Sequence, residues 1–332
     1  AVWLTILHIA LFQWRTGFMT KNFSGGETPS HSAVGADALD AANLKAIAFL
    51  SASMAFFAFD DMFIKLASSK IGVGQILTIQ SLLSILYFGY LARRRGQRIT
   101  RAALLSPAIV LRHVGDVGGA VCFVIALSLM PISNASAILQ ATPLAVTLGA
   151  ALFLRETVGW RRWSAIVVGF FGVLLVIRPG MQGFETASLF AVATVVGLAI
   201  RDLGTRTIPQ TISTEMIALV ASCLFLVTAI ILQSVMSPWQ LMSARTTVYV
   251  LSASICGILG VHLITIALRI GEISLVAPFR YVRVVIAIII GMVVFEERPD
   301  MYTIAGTGLI VASGLYTIYR EQTSKRRRLR TS

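Results

Sequence analysis

From Leu44 onward, long apolar runs alternate with short polar breaks along most of the chain. Each run is close to the roughly 20 residues that an α-helix needs to cross a lipid bilayer. We number the predicted helices 1 to 10 and place them at 44–67, 73–92, 110–130, 134–154, 163–178, 187–207, 214–236, 247–268, 274–295 and 302–319. The pattern therefore predicts an all-α membrane protein with ten transmembrane helices.

The second half of the chain repeats the first at a constant offset of about 141 positions. At that offset the pair Asp61 and Lys65 falls on Asp202 and Arg206, and Glu297 also has a glutamate partner. Chance matches between apolar segments would align Leu with Val, but they would not reproduce charged residues at one spacing. Because each copy holds five helices, the second copy must enter the membrane from the opposite side. The sequence thus predicts two inverted repeats, residues 44–178 and 187–319, as in many secondary transporters.

Two segments lie outside the predicted repeats. Residues 1–43 begin with an apolar run that is too short to span a bilayer. A signal peptide is the alternative, but a basic start and a clear cleavage site are missing, so we expect a cytoplasmic or interfacial extension. Residues 320–332 form a basic tail, which we expect to contact anionic lipid headgroups rather than nucleic acid.

The composition excludes a soluble globular protein. Of the 332 residues, 56% are hydrophobic and only 13% are charged, with a mean hydropathy of +0.81, whereas soluble proteins carry about 25% charged residues. The net charge of +13 comes from Lys and Arg clustered between the apolar runs. With a cytoplasmic amino end, fifteen of these basic residues lie in inner loops and four in outer loops. This distribution predicts that both termini are cytoplasmic and that no nucleic acid is bound.

Charged residues inside the predicted helices are the first candidates for function, because charge is unfavourable in the membrane interior. Helices 1 and 6 carry such residues at matching positions. An acid four residues before a base lies on the same helix face and is well placed for an ion pair. The residues either fix the packing of the two helices or serve as gating or proton-coupling groups. They are Asp60, Asp61 and Lys65 on helix 1, and Arg201, Asp202 and Arg206 on helix 6.

Helix 9 carries Arg280, Tyr281 and Arg283, with Arg283 near the predicted membrane midplane. The repeat places uncharged Leu139 and Thr142 opposite the two arginines. Charges that break the internal symmetry are candidates for substrate recognition, and the arginine fork suits a carboxylate or phosphate. The alternative is that Arg280 and Arg283 neutralise aspartates of the interior. The predicted substrate-binding residues are Arg280, Tyr281, Arg283, Gln140, Thr142 and Asp116.

An intramembrane enzyme is a competing hypothesis with little support. The four histidines are scattered, and neither a His-Glu-x-x-His nor a Gly-x-Ser-x-Gly motif occurs. The three cysteines lie in apolar runs without the spacing of metal ligands. We expect no catalytic residue, metal or cofactor. A channel is equally disfavoured, because no ring of repeated polar residues stands out.

Two segments at equivalent places of the repeats carry a family resemblance. The first runs from Ile132 through Thr142-Pro143 to Glu156, the second from Ser274 through Ala277-Pro278 to Glu297, and a glycine-rich helix follows each. In these segments the chain resembles the EamA family of the drug/metabolite transporter superfamily.

The resemblance implies a bacterial inner-membrane protein with a central cavity lined mainly by helices 1, 3, 4, 6, 8 and 9. It implies alternating access for a small organic metabolite, such as an amino acid, S-adenosylmethionine or a vitamin such as riboflavin. A multidrug or metabolite exporter is the alternative. Helices 5 and 10, which are rich in glycine, would serve packing or dimerisation. The resemblance is therefore compatible with a homodimer.

Overall fold

The computed structural model describes residues 33–96, 107–153, 159–179, 185–206, 214–270 and 276–331. Contacts divide the chain into two units, Ala1–Ala41 and Ala42–Ser332, and the features described below lie in the second. Most of the predicted extension and the side chains beyond Arg320 lie outside the described part.

The described residues fold into helices joined by turns and short connections, and none of them forms a strand. The helices are α1 (Ala33–Ser68), α2 (Val73–Arg94), α3 (Pro107–Leu129), α4a (Ile132–Leu139), α4b (Thr142–Phe153), α5 (Trp160–Ile177), α6 (Ser188–Arg206), α7 (Thr214–Met236), α8 (Ala244–Ile270), a 3₁₀ turn (Ala277–Tyr281), α9 (Val282–Val294) and α10 (Met301–Thr331).

Nine spans among the described residues are long and apolar enough to cross a membrane. Counting α4a with α4b and the 3₁₀ turn with α9, they correspond to every predicted helix except helix 5. In α5 the apolar part, Trp163–Ile177, is shorter. The prediction of an all-helical membrane protein is confirmed, and each predicted helix has a counterpart, although α1 begins at Ala33 rather than at 44 and α10 ends at Thr331 rather than at 319.

Predicted helix 4 is interrupted within its span. Its helix breaks at Gln140 and Ala141, between α4a and α4b. The cause is Pro143, which has no N–H to donate to the carbonyl of Leu139 and would clash with it in a regular helix. The hydroxyl of Thr142 donates to that carbonyl instead, at 2.6 Å. In the second half, Pro278 lies in the first turn of the 3₁₀ segment that precedes α9.

Glycines bring α3 and α6 into backbone contact. A methyl group added at Gly197 would lie 2.7 Å from the Cα of Gly119 and 2.8 Å from the carbonyl oxygen of Gly115. Gly172 of α5 and Gly306 of α10 approach one another in the same way. Small residues permit such close packing between membrane helices, so the packing role predicted for helices 5 and 10 is realised within this one chain.

We expect Gly197→Ala to destabilise the protein by about 1–3 kcal/mol, the usual range for overpacking. The new methyl group would meet backbone atoms of α3, which cannot move aside as a side chain can. Gly118→Ala is the matched control, because a methyl group there meets nothing within 4 Å. Thermal unfolding in detergent measures both, and equal midpoints would contradict the close contact.

Glu297, in the segment between α9 and α10, caps the amino end of α4a. Its carboxylate accepts hydrogen bonds from the backbone N–H of Ile132 at 2.7 Å and from the N–H and hydroxyl of Ser133 at 3.1 and 2.7 Å. The ammonium group of Lys65 lies 3.7 Å away and donates to the carbonyl of Met130. Negative charge at a helix amino end and positive charge at a helix carboxyl end are both favourable. The turn between α3 and α4a is therefore held between α1 and the segment after α9.

Removing the cap with Glu297→Ala should lower the free energy of unfolding by about 2 kcal/mol, because several charge-assisted hydrogen bonds are lost. Glu297→Gln keeps a carbonyl acceptor and should lose roughly half of that. Thermal unfolding of both variants beside the wild type measures the difference. A Glu297→Ala protein as stable as the wild type would show that water replaces the carboxylate without loss.

Candidate functional site

The carboxylate of Asp61 and the guanidinium of Arg283 form a bidentate ion pair between α1 and α9. Nε of Arg283 lies 3.0 Å from Oδ2 of Asp61, and one terminal nitrogen lies 2.7 and 2.8 Å from Oδ1 and Oδ2. The rings of Phe57 and Phe123 flank the guanidinium at 5.3 and 5.2 Å. The side chain of Asp61 is 2% exposed. Arg283 thus neutralises Asp61, which is one of the two alternatives that the sequence left open.

Asp60, the neighbour of Asp61, faces a different set of residues. Its Oδ1 accepts a hydrogen bond from Nε2 of Gln80 on α2, at 2.9 Å. On the other side lies Gly257 of α8, where an added methyl group would be 3.2 Å from Oδ2. Among the described residues no basic side chain lies within ion-pair distance of Asp60. The carboxylate of Asp60 therefore has one described side-chain hydrogen bond and no described ion pair, and the charges of Asp61 and Arg283 act on it.

A second charged cluster joins α3 and α6. Arg112 contacts His113 at 3.2 Å and Asp116 at 3.5 Å. Arg201 contacts Asp116 at 3.4 Å and its own neighbour Asp202 at 2.9 Å. Both arginines are thus paired with carboxylates, and two of the predicted gating residues lie beside the predicted binding residue Asp116.

Arg280 lies in the 3₁₀ turn and has no described ion-pair partner. Its Nε is buried without a hydrogen-bond partner, although the charges of Asp202 and Arg201 act on it from α6. The side chain of Gln140, at the break between α4a and α4b, donates to the backbone carbonyl of Arg280 at 3.3 Å. The hydroxyl of Tyr281 is also buried without a partner, pointing at Gly314 of α10. The break between α4a and α4b and the 3₁₀ turn thus meet at a polar site. Two donors there, Nε of Arg280 and the hydroxyl of Tyr281, have no hydrogen-bond partner.

The spacing-based ion pair between Asp61 and Lys65 does not form. Asp61 turns to Arg283, and Lys65 turns to Glu297 and the end of α3. The hydroxyl of Thr142 donates to the carbonyl of Leu139 at the break in its own helix. The side chain of Arg206 lies outside the described residues.

Sequence reasoning missed four contributors: Phe57, Gln80, Phe123 and Gly257. Gln80 carried a usable signal, because it is an amide within an apolar run. The phenylalanines and the glycine carried none, since such residues are common in membrane helices.

Two carboxylates lie just before membrane-spanning helices: Asp300 precedes α10 and Glu185 precedes α6. Partial burial acts to raise the pKa of Asp300, but hydrogen bonds from Thr303 and Arg178 outweigh it and the pKa lies below its ordinary value. Burial raises the pKa of Glu185, against the opposing charge of Lys65. Asp300 therefore stays ionised at the start of α10, where a negative charge is favourable.

Comparison with known proteins finds similarity to membrane transporters. Residues 44–178 match the EamA-like transporter family. The chain is 28% identical over 205 residues to an S-adenosylmethionine uptake transporter of Rickettsia conorii, covering 61% of this chain and 68% of the relative. It is 29% identical over 207 residues to a riboflavin transporter of Vibrio cholerae, covering 60% and 67%.

A third relative aligns over more of the chain. The pseudopaline exporter CntI of Pseudomonas aeruginosa is 26% identical over 276 residues, which cover 80% of this chain and 93% of the relative. A protein of known crystal structure superposes with a TM-score of 0.55 over 82% of this chain and 98% of that chain, at 18% identity. This last likeness concerns the fold alone.

Proposed function

We propose that this chain, whose residues 44–178 match the EamA-like transporter family, moves a small organic metabolite bearing an acidic group across the bacterial inner membrane. It is a transporter rather than an enzyme, and its mechanism is alternating access. Its relatives include transporters named for S-adenosylmethionine and for riboflavin, and of these two compounds only S-adenosylmethionine bears a carboxylate, which makes it the first candidate for the substrate.

The proposed acidic group of the substrate rests on one observation, which is that Arg280 has no ion-pair partner. Arg283 is committed to Asp61, and Arg112 and Arg201 to Asp116, whereas Arg280 has no carboxylate partner among the described residues. A buried guanidinium without a partner is unfavourable, and a substrate carboxylate or phosphate would complete it. Tyr281 and Gln140 lie beside it and contribute hydrogen bonds. Asp116 is connected to it through Arg201, whose charge acts on Arg280.

Two inverted repeats, residues 44–178 and 187–319, form the framework in this proposal. Contacts at equivalent positions support it. The hydroxyl of Ser53 on α1 donates to the carbonyl of Gly260 on α8, at 2.7 Å. At an offset of 141 these residues become Thr194 and Gly119, and Gly119 lies against the backbone of Thr194. Helix α3 thus packs on α6 as α8 packs on α1.

Transport then occurs by rocking of the two repeats about the site near Arg280, with both termini cytoplasmic. The charged residues of α1 and α6 separate or re-pair as the repeats move, so Asp61, Lys65, Arg201, Asp202 and Arg206 act as gating or coupling groups. Asp61 fits the gating role because its partner Arg283 lies in the other repeat. A small repacking of such a pair can switch a bistable interface.

Export is the second candidate function. The alignment with the pseudopaline exporter covers 80% of this chain, more than the alignments with the two uptake transporters. The direction of transport is set by the gradients of the substrate and any coupling ion, and one site serves either direction.

Ligand-induced stabilisation tests the proposed function. Purified protein is heated with amino acids, nucleotides, vitamins, S-adenosylmethionine and riboflavin, and a ligand that binds only the folded state raises the unfolding temperature. Each ligand that shifts the midpoint is then followed into proteoliposomes, loaded on either side to give the direction. Accumulation that depends on the protein supports transport. Absence of protein-dependent flux for every ligand that binds would overturn it.

A further inference from the structure

Glu297 joins the two proposed repeats at the end of the helices where α1, α3 and α9 finish. Its carboxylate belongs to the second repeat, whereas the groups that it contacts, Ile132 and Ser133 at the amino end of α4a and the ammonium of Lys65, belong to the first. The side chains of Lys65 and Glu297 are only 18% and 11% exposed. Water is therefore largely excluded from the contact, and the two repeats are closed against one another at this end.

The turn after α9 brings Glu297 back over the last part of that helix. The N–H groups of Phe295 and Glu297 both donate to the carbonyl of Gly291, at 3.2 and 2.9 Å. Glu296 between them has a left-handed backbone conformation, with a φ of 54°. Glycine usually occupies this position of a helix end, because a side chain makes the conformation unfavourable. The contacts of Glu297 thus stabilise a turn that is unfavourable by itself, and loss of those contacts favours its release.

Gly291 leaves the room in which the carboxylate of Glu297 meets Ser133. A methyl group at position 291 would lie 2.5 Å from Oγ of Ser133 and 2.6 Å from Oε2 of Glu297. Glycine is unfavourable within a helix, yet a larger residue at this position would push the two side chains apart. The closed contact between the repeats therefore depends on the absence of a side chain in α9.

Helix α4a connects this contact to the proposed substrate site. It has only eight residues, and the break at Gln140 and Ala141 separates it from α4b. Its amino end is bound by Glu297, and just beyond its last residue the side chain of Gln140 donates to the carbonyl of Arg280, at 3.3 Å. Eight helical residues rise about 12 Å. The second repeat thus holds this short helix at both of its ends, and the break lets it move as one piece.

We propose that Glu297, Lys65 and the amino end of α4a form a latch that closes one end of the transport path and opens when substrate binds at Arg280. The inference rests on the proposed function, in which the two repeats rock about that site. Substrate bound to Arg280 displaces its backbone carbonyl, Gln140 and α4a follow, and the carboxylate of Glu297 exchanges the N–H groups of α4a for water. In the proposed orientation the latch lies at the outer end. Glu297 thereby acquires a gating role beyond the capping of one helix.

Thiol labelling of detergent-purified protein tests the latch without any substrate. The native cysteines are first replaced by alanine: Cys122, Cys223 and Cys256. Ser133→Cys is the reporter, because Ser133 is 1% exposed and its backbone N–H keeps the bond to Glu297. A cationic methanethiosulfonate should label this reporter slowly, and about tenfold faster after Glu297→Ala, because labelling follows the population of the open state. Leu241→Cys, at a fully exposed position, gives the unprotected rate.

Two further variants keep the carboxylate of the latch in place. Lys65→Met removes the ammonium group, and Gly291→Ala crowds the carboxylate, so each should speed labelling of the reporter. Gly308→Ala is the matched control for Gly291→Ala, because a methyl group there meets nothing within 4 Å. Gly197→Ala controls for a general loss of stability, since its contact lies between α3 and α6. Neither control should change the labelling rate.

A disulfide locks the latch for a measurement of transport. A Cβ atom at position 291 would lie 2.5 Å from Oγ of Ser133, which puts the two Cβ atoms about 3–4 Å apart and within the range that a disulfide spans. In the double variant Ser133→Cys with Gly291→Cys, oxidation should reduce the flux of S-adenosylmethionine, or of another ligand found to be carried, about tenfold or more. Dithiothreitol should restore the flux, and neither single variant should respond to oxidation.

The outcomes separate the latch from the transport proposal. Unchanged slow labelling after Glu297→Ala and Gly291→Ala would overturn the latch, and so would an equal increase after Gly197→Ala, which would indicate general loosening. Flux that continues through the oxidised double variant would also overturn it. Fast labelling after Glu297→Ala in a protein that carries no ligand would overturn transport and leave the closed contact between the repeats supported.

Discussion

Replacing Arg280 by glutamine should reduce transport about a hundredfold, the typical effect of truncating one member of a desolvated charge pair. The same change should leave the protein folded and at least as stable as the wild type. Without substrate, the guanidinium of Arg280 has a buried Nε without a partner, and removing an unpaired charge from the interior relieves its desolvation. Loss of function with unchanged or higher stability is the signature of a binding residue.

The measurement combines flux into proteoliposomes with thermal unfolding of the same preparation. Arg280→Lys is the informative second variant, because it keeps the charge but loses the two-pronged geometry, and it should retain part of the flux. Arg245→Gln, at an exposed position in the first turn of α8, is the control for loss of a basic residue. Full transport by Arg280→Gln would refute the assignment, and so would a large fall in its stability.

The sequence predicted the helices well because their signal is strong and local. Long apolar runs bounded by polar breaks placed all ten segments, and α7 was predicted at its observed bounds, Thr214–Met236. The break in helix 4 was also written in the sequence, as Thr142-Pro143 after Gln140. Since a proline within an apolar run often produces only a kink, its presence did not show how far the helix would open.

The pairing of charges could not be predicted from spacing. Lys65 follows Asp61 by four positions, but the carboxylate pairs with Arg283, 222 positions away. The two side chains share a helix face, and that face also meets α9 and the turn before α4a. Arg283 binds Asp61 there, while the carbonyls of Leu127 and Met130 and the carboxylate of Glu297 hold Lys65. Tertiary partners of this kind are invisible to a rule that concerns one helix.

The candidate residues on helix 9 were found because they break the internal repeat, yet the sequence did not separate their roles. Arg280 and Arg283 are three residues apart and have the same side chain. Only the position of Asp61 distinguishes them, since it saturates Arg283 with three hydrogen bonds.

Arg283→Ala is expected to destabilise the protein by about 3–5 kcal/mol, because it leaves the buried carboxylate of Asp61 without its counter-charge. With Arg283 in place the side chain of Asp61 is 2% exposed, so the guanidinium supplies most of the compensation for its buried charge. Asp61→Ala should cost a similar amount, since it leaves Arg283 between the rings of Phe57 and Phe123 without an anion. Thermal unfolding and the monodisperse fraction on gel filtration measure both effects.

The double variant Asp61→Leu with Arg283→Met separates the ion pair from the individual charges. Replacing both members of a buried pair by apolar residues of similar size is often neutral or stabilising, so the double variant should unfold near the wild-type temperature although each single loss is severe.

If the pair is also a gate, this stable double variant should still bind substrate at Arg280 but should carry it more slowly, because the contact between the repeats no longer opens and re-forms. Two single variants as stable as the wild type would show that the pair in the structure contributes nothing to folding. A stable double variant with full flux would confine the pair to a structural role.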